Sequence, residues 1–250
     1  MTVRILVGDM REQLKTLADG SVDAIVTDPP YGETSLAWDK RVPGWASLLL
    51  RVLKPTGSMW VFGSLRLFME TAPEFGGWRM SHDVIWEKHN GSGLFNDRFR
   101  RVHEIAAHFY PAKSRWADIY RDPQFTNDAR ARVVRKKARP AQWIGAQGDN
   151  VYRSEDGGPR LMRSVLLVRS EHGRAKHPTQ KPLGLLAPLL AYCCPNGGLV
   201  LDPFAGSGST GLAAKLGGRD AVLIEVNPAY AEIARKRITG DLPLFATVAA

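Results

Sequence analysis

The sequence is poor in cysteine. Of its 250 residues only Cys193 and Cys194 carry thiols, and they are neighbours in the chain. Two adjacent cysteines cannot supply a four-ligand zinc site, and neighbours rarely bridge one another. They read as small hydrophobes buried in a helix. Long apolar runs are missing as well. The longest, residues 183–194, spans 12 residues and contains Pro188, whereas a membrane span needs about 20. With 24% charged and 44% hydrophobic residues, disordered, collagen-like and disulfide-rich classes are excluded. A chain of this length folded as one α/β domain buries roughly 70–75% of its unfolded surface, so neither a disulfide nor a metal is needed for stability. The first residues read as a strand, without a basic lead or a small-residue cleavage site. The expectation is a soluble cytoplasmic protein with no membrane partner.

Acidic residues are scarce in one place only. The 34 Lys and Arg outnumber the 25 Asp and Glu, for a net charge of +9. Residues 113–176 hold 15 of the basic and 7 of the acidic side chains, leaving 19 against 18 elsewhere. Nearly all the excess therefore sits in one segment between two almost neutral ones. Its densest block holds Arg130, Arg132, Arg135, Lys136, Lys137 and Arg139. A solvated basic loop is one explanation. Concentration in a single segment favours a polyanion, with these six residues as candidate phosphate contacts.

The first third alternates strand and helix signals. Apolar runs at 3–7 and 22–27 flank a segment in which Asp9 can cap a helix, with Glu12 completing a capping box. Leu14, Leu17 and Ala18 form its apolar stripe, and Gly20 stands at its stop. A helix is predicted over 45–53, then strands at 58–63, 83–86 and 104–109. Residues 112–175 break the rhythm, apart from one apolar run at 164–168, and read as an insertion outside the sheet. The rhythm returns with a helix at 183–194, a strand at 199–201, a helix to 216, a strand at 221–225 and a helix over 229–238, capped by Asn227. This β-α-β order predicts a sheet covered by helices.

Two clusters carry chemistry. In Asp202-Pro203-Phe204-Ala205-Gly206-Ser207-Gly208, a glycine-rich turn follows a strand and opens a helix, with Gly211 completing GxGxxG. That pattern alone is weak. Glu225, at the end of the next strand, strengthens it, because a carboxylate there can accept hydrogen bonds from both ribose hydroxyls. The pair points to a nucleoside cofactor. Dinucleotide fingerprints usually run apolar into the first glycine, whereas Asp202 suits the cationic amino group of a methionine moiety. S-adenosylmethionine is therefore favoured over NAD.

The second cluster is Asp28-Pro29-Pro30-Tyr31. The exocyclic amine of adenine is a poor nucleophile, because its lone pair is delocalised into the ring. A site that methylates it must hold the NH₂ by its hydrogens. The Asp28 carboxylate and the Pro29 carbonyl are two such acceptors, the prolines stiffen the chain, and Tyr31 offers a face on which a flipped base can stack. Alone, the cluster would read as an ordinary strand end with a proline turn.

Together, the two clusters resemble the amino-directed DNA methyltransferases that modify adenine N6 or cytosine N4. Their order, with the catalytic tetrapeptide first, then a basic segment, then the cofactor motif, is similar to the circularly permuted β group. The segment Lys176-His177-Pro178-Thr179-Gln180-Lys181-Pro182 resembles the motif that precedes the cofactor strand in that group. The resemblance implies cofactor contacts from His177, Thr179 and Lys181, from Asp9 and Asp28, from Asp202, Pro203, Phe204, Gly206 and Gly208, and from Glu225 and Asn227. It implies a target-pocket strand at 103–109. Its fold implication is a Rossmann-like α/β/α three-layer sandwich around a mostly parallel sheet. A catalytic domain would comprise residues 1–111 and 176–250, with 112–175 as the target-recognition insertion.

The expected activity is methylation of adenine N6 in duplex DNA with base flipping, by an orphan or restriction-modification methylase that needs no metal. Asp at position 28 resembles the adenine enzymes, and cytosine N4 is the alternative. A homodimer is a further expectation from related enzymes. Carbon-5 cytosine chemistry is set aside, since its nucleophilic cysteine follows a proline, whereas here Pro195 follows Cys194. An NAD-dependent oxidoreductase would leave Asp28–Tyr31 unexplained. A catalytically dead DNA-binding protein would leave both clusters without a purpose.

Overall fold

Strand positions 58–63 and 221–225 are buried at every residue, which happens when a sheet is covered on both faces. The computed structural model describes residues 1–33, 39–92, 96–136, 150–170 and 180–240. Of the expected site residues, His177, Thr179, Lys137 and Arg139 lie outside the described residues. The chain forms two compact units, Met1–Asp122 with Ser164–Ala250, and Pro123–Arg163.

The first unit begins with β1 (Val3–Val7), α1 (Met10–Gln13), β2 (Val22–Thr27), α2 (Trp45–Val52), β3 (Leu53–Gly63), α3 (Leu65–Glu70), β4 (Trp78–Ser92) and β5 (Arg101–Pro111). The second unit contributes β6 (Phe125–Thr126), β7 (Arg132–Lys136), β8 (Asn150–Ser154) and β9 (Arg160–Leu161). The first then resumes with β10 (Val165–Leu167), α4 (Leu183–Cys193), β11 (Leu199–Asp202), α5 (Ser209–Leu216), β12 (Asp220–Glu225) and α6 (Pro228–Gly240).

Eight strands of the first unit form one sheet in the order β1-β12-β11-β2-β3-β5-β4-β10. Only β5 runs antiparallel to its neighbours. Alternate residues of β2 go to opposite layers. Ala24 and Val26 pack under α4 and α5, with Leu186, Leu190 and Ala213. Ile25 packs on the other face with Leu14, Trp45 and Leu49. The expected three-layer α/β architecture is present, and Cys193 and Cys194 are buried in it.

Four local expectations change. The run at 164–168, read as part of the insertion, supplies β10, which pairs in parallel with β4 at the sheet edge. Residues 113–122 also belong to the first unit, tied by the Tyr120 N–H to Thr56 O and the Asp122 N–H to Tyr192 O. The compact insertion is thus narrower than 112–175, because these backbone bonds hold its flanks to the larger unit. The capping box is not closed. Asp9 accepts the Arg11 N–H at 2.8 Å, but the Glu12 carboxylate pairs with Lys15 instead of reaching back. Ala18, expected in the apolar stripe, is exposed.

In the second unit, β7 and β8 form an antiparallel ribbon, and β6 pairs with β9. Arg130 and Arg132 are exposed, as are Val133 and Val151. Arg135 and Lys136 lie on β7, opposite Val151 and Asn150. A two-stranded ribbon with so little buried side chain draws little stability from its own core.

Candidate active site

After β2 the chain moves to β3 on one side, and after β11 it moves to β12 on the other. Connections that diverge in this way open a crevice at the carboxyl ends of the strands. The crevice here is a cleft of about 1000 Å³, its mouth included, lined by Gly8, Asp9, Asp28, Asp202, Phe204, Gly206 and Glu225, among others. Thr27 and Asp202 meet at the divergence, where the Thr27 hydroxyl donates to Asp202 Oδ1 at 2.9 Å.

Asp202 is buried and also accepts the Phe204 N–H at 3.1 Å. Burial pushes its carboxyl up to about 6, against the hydrogen bonds of Thr210, Phe204 and Thr27. Gly206 and Gly208 take φ of 52° and 77°, a left-handed backbone that favours glycine. A Cβ on Gly208 would stand 2.7 Å from that of Ala234. From α6, the Arg237 guanidinium donates to Ser207 O at 2.6 Å and to its Oγ at 2.8 Å, fastening the loop. The Glu225 carboxylate accepts the Gly206 N–H and the Asn227 N–H, both at 2.8 Å. It keeps further lone pairs towards the cleft that it lines.

Across the cleft, Asp28 follows β2 directly. The Tyr31 hydroxyl donates to its Oδ1 and the Lys181 ammonium to its Oδ2, each at 2.5 Å. Lys181 also lies 3.2 Å from Glu104 Oε2. Lys88 pairs with the other Glu104 oxygen. The Lys181 ammonium faces the Phe62 ring at 5.1 Å and the Trp86 ring at 6.0 Å. Burial alone would lower the Lys181 amine, but Asp28 and Glu104 outweigh it and hold it above the usual lysine range. Burial would raise Glu104, but Lys181 and Lys88 bring it to about 2. Burial pushes Asp28 up against the pull of Lys181, and lifts the Tyr31 phenol well above its ordinary value.

The cleft thus joins a glycine loop between two carboxylates to a hydrogen-bond-accepting carboxylate backed by a lysine. The DNA methylase family model, N6_N4_Mtase, matches residues 22–236. The chain belongs to this DNA methylase family. Type II methyltransferase M.HinfI of Haemophilus influenzae is 29% identical over 265 residues, 94% of this chain and 67% of that protein. The crystal structure of the M1.HpyAVI-SAM complex is similar, with 26% identity and a TM-score of 0.64, over 94% of this chain and all of the other. PvuII DNA methyltransferase, described as cytosine-N4-specific, shares the fold with 16% identity and a TM-score of 0.67, over 100% of this chain and 89% of that one.

The cofactor of this methylase is S-adenosylmethionine, as in the M1.HpyAVI complex and in the Thermus thermophilus TTHA0409 complex. The cleft fits it, with two carboxylates for the amino and ribose groups and a glycine backbone free of Cβ atoms. The expected residues are placed unevenly. Asp9, Asp28, Lys181, Asp202, Pro203, Phe204, Gly206 and Glu225 line the methylase cleft. Asp9 is held below the usual carboxylate range by its hydrogen bonds from Arg11. Gly208 caps α5 behind the cleft. Asn227 does not line it, since its Oδ1 accepts the Ala229 N–H and caps α6. Lys181, expected among the cofactor contacts, spends its ammonium on Asp28 and Glu104. Glu104 and Arg237 were missed as site residues. Glu104 lies on the strand already matched to the target pocket, and Arg237 had no local signal.

Proposed function

We propose that this methylase transfers the methyl group of S-adenosylmethionine to adenine N6 in duplex DNA, after rotating the base out of the helix. The observation that carries the reading is Asp28, a carboxylate at the cleft whose two oxygens are already held by donors, Tyr31 and Lys181. A carboxylate so held is an acceptor only, which is what a target NH₂ requires. The Pro29 carbonyl offers a second acceptor, and Pro29 and Pro30 fix both in place. S-adenosylmethionine supplies an electrophilic sulfonium methyl. The chain's share is to draw the amine hydrogens towards Asp28, so that nitrogen turns tetrahedral along the line of attack. Flipping costs a few kcal/mol, and stacking on the Tyr31 ring is proposed to return part of it. Asp rather than Ser at position 28 favours adenine over cytosine. The exposed Arg130 and Arg132 are proposed to contact phosphates.

Nucleoside mass spectrometry of unmethylated duplex DNA, after incubation with the protein and S-adenosylmethionine, tests the proposal. N6-methyladenine is expected. N4-methylcytosine would overturn the base assignment, and no methylated base would overturn the reaction.

A further inference from the structure

Each Asp28 oxygen already accepts one donor before any base arrives, so a target amine shares Asp28 with Tyr31 and Lys181 or displaces one of them. If Lys181 gave way with no other carboxylate near, its buried ammonium would be left unpaired, at a cost of several kcal/mol. A second acceptor is in reach. Glu104 Oε2 lies 3.2 Å from Lys181 Nζ, close enough for an ion pair. It is wholly buried and accepts no hydrogen bond, so the ammonium beside it pairs by charge alone and leaves its lone pairs available. Its sister oxygen is held by Lys88, which fixes the carboxylate between β4 and β5. The Phe62 and Trp86 rings lie 5.1 and 6.0 Å from the ammonium.

We infer that Glu104 and Lys181 form a relay that keeps Asp28 ready for the target amine. Lys181 occupies Asp28 Oδ2 while the pocket is empty and moves its hydrogen bond to Glu104 Oε2 when the amine takes its place. This rests on the reading of Asp28 as the amine acceptor. Lys181 and Glu104 are positioning residues, and no bond is made or broken by them. Among the described residues, the charges facing Asp28 are Lys181 and Glu104, with Lys88 behind Glu104, Asp202 across the cleft, and Arg101 beside Tyr31.

The test compares wild type with Glu104→Gln, Lys181→Met and Lys181→Arg. It reads calorimetric S-adenosylmethionine affinity and single-turnover methylation of duplex DNA across pH. With Glu104→Gln, Lys181 has no second charge to move to. The methylation rate is expected to fall about tenfold, the equivalent of one pKa unit of stabilisation, with cofactor affinity unchanged. With Lys181→Met, Asp28 loses its counter-charge, so its carboxyl rises and the acidic limb of the rate profile moves to higher pH. Lys181→Arg restores the limb. If Glu104→Gln does not fold, and so binds no cofactor, the Lys181 pair carries the test alone. A Glu104→Gln enzyme with the wild-type rate at every pH would overturn the relay. So would a Lys181→Met enzyme that loses cofactor affinity with an unshifted profile. Failure of wild type to methylate any base would instead strike at the functional reading on which the relay stands.

Discussion

The Thr27 hydroxyl meets Asp202 Oδ1 at 2.9 Å across the point where the connections of the sheet diverge. One hydrogen bond thereby joins the strand that presents Asp28 to the strand that opens the cofactor loop. A shift of either strand along the sheet would separate the two halves of the site.

The Asp202 carboxyl, pushed up to about 6 by burial, is the proposed acceptor of a cationic amino group and must be ionised in that role. Cofactor affinity is therefore expected to be flat above pH ~7 and to weaken by up to about tenfold per unit below that carboxyl's value. Thr27→Val removes a stabilising donor, worth about 1.5 kcal/mol to a charged acceptor. It should move the fall in affinity to higher pH. Calorimetric titration of S-adenosylmethionine at a series of pH values reads both effects, and a pH-independent affinity would contradict the role given to Asp202.

Asp28→Ala is expected to reduce methylation by about 10²-fold or more, while cofactor affinity changes little. Lys181 keeps Glu104 as a partner in this variant, so the protein should fold. Wild-type turnover in Asp28→Ala would end the assignment of Asp28 as amine acceptor.

Gly208→Ala combines a φ of 77° with a Cβ placed 2.7 Å from that of Ala234. A loss of about 2–4 kcal/mol is expected from backbone strain and overpacking together. Gly197, with φ of 73° but open space around its Cβ position, isolates the backbone share, and Gly197→Ala should cost about 1 kcal/mol. Urea unfolding of the two variants checks the difference. Equal losses would show that the Ala234 contact does not matter.

His108 is wholly buried, and burial pushes its imidazole down to about 3. It stays neutral in the folded protein, whereas the unfolded chain protonates below about pH 6.5. Between those values the unfolded state binds one more proton, so stability falls by about 1.4 kcal/mol per unit as pH drops. His108→Phe should remove that share of the slope. Urea midpoints from neutral to acid pH would show it, and parallel curves for the two proteins would rule it out.

Arg130 and Arg132, exposed beside and on β7, are proposed phosphate contacts. Each change to Ala should lower the slope of log affinity against log salt by about 0.9 and weaken all duplexes alike. Fluorescence anisotropy at several salt concentrations measures the slope. A change in sequence preference instead would make them base readers.

The placement of the two clusters was legible in the chain, because strand ends and glycine turns are local features. Val22–Thr27 runs apolar into Asp28, and Leu199–Asp202 runs apolar into a glycine turn, so both positions at the ends of strands could be read directly. The edge strand Val165–Leu167 was not legible, since three residues acquire strand identity only by pairing with Ile85–Glu87. Lys181 was placed by its neighbours in sequence with the cofactor groups. Its long side chain turns to carboxylates 77 and 153 residues away.

Short-range patterning and composition set the alternation of elements, the glycine loop, the carboxylate that follows β2 and the segregation of positive charge. That Asp28, Glu104, Lys88 and Lys181 share one buried cluster follows only from the packing of the folded chain. Ion pairing between distant residues depends on which strands lie side by side, and no local periodicity records that.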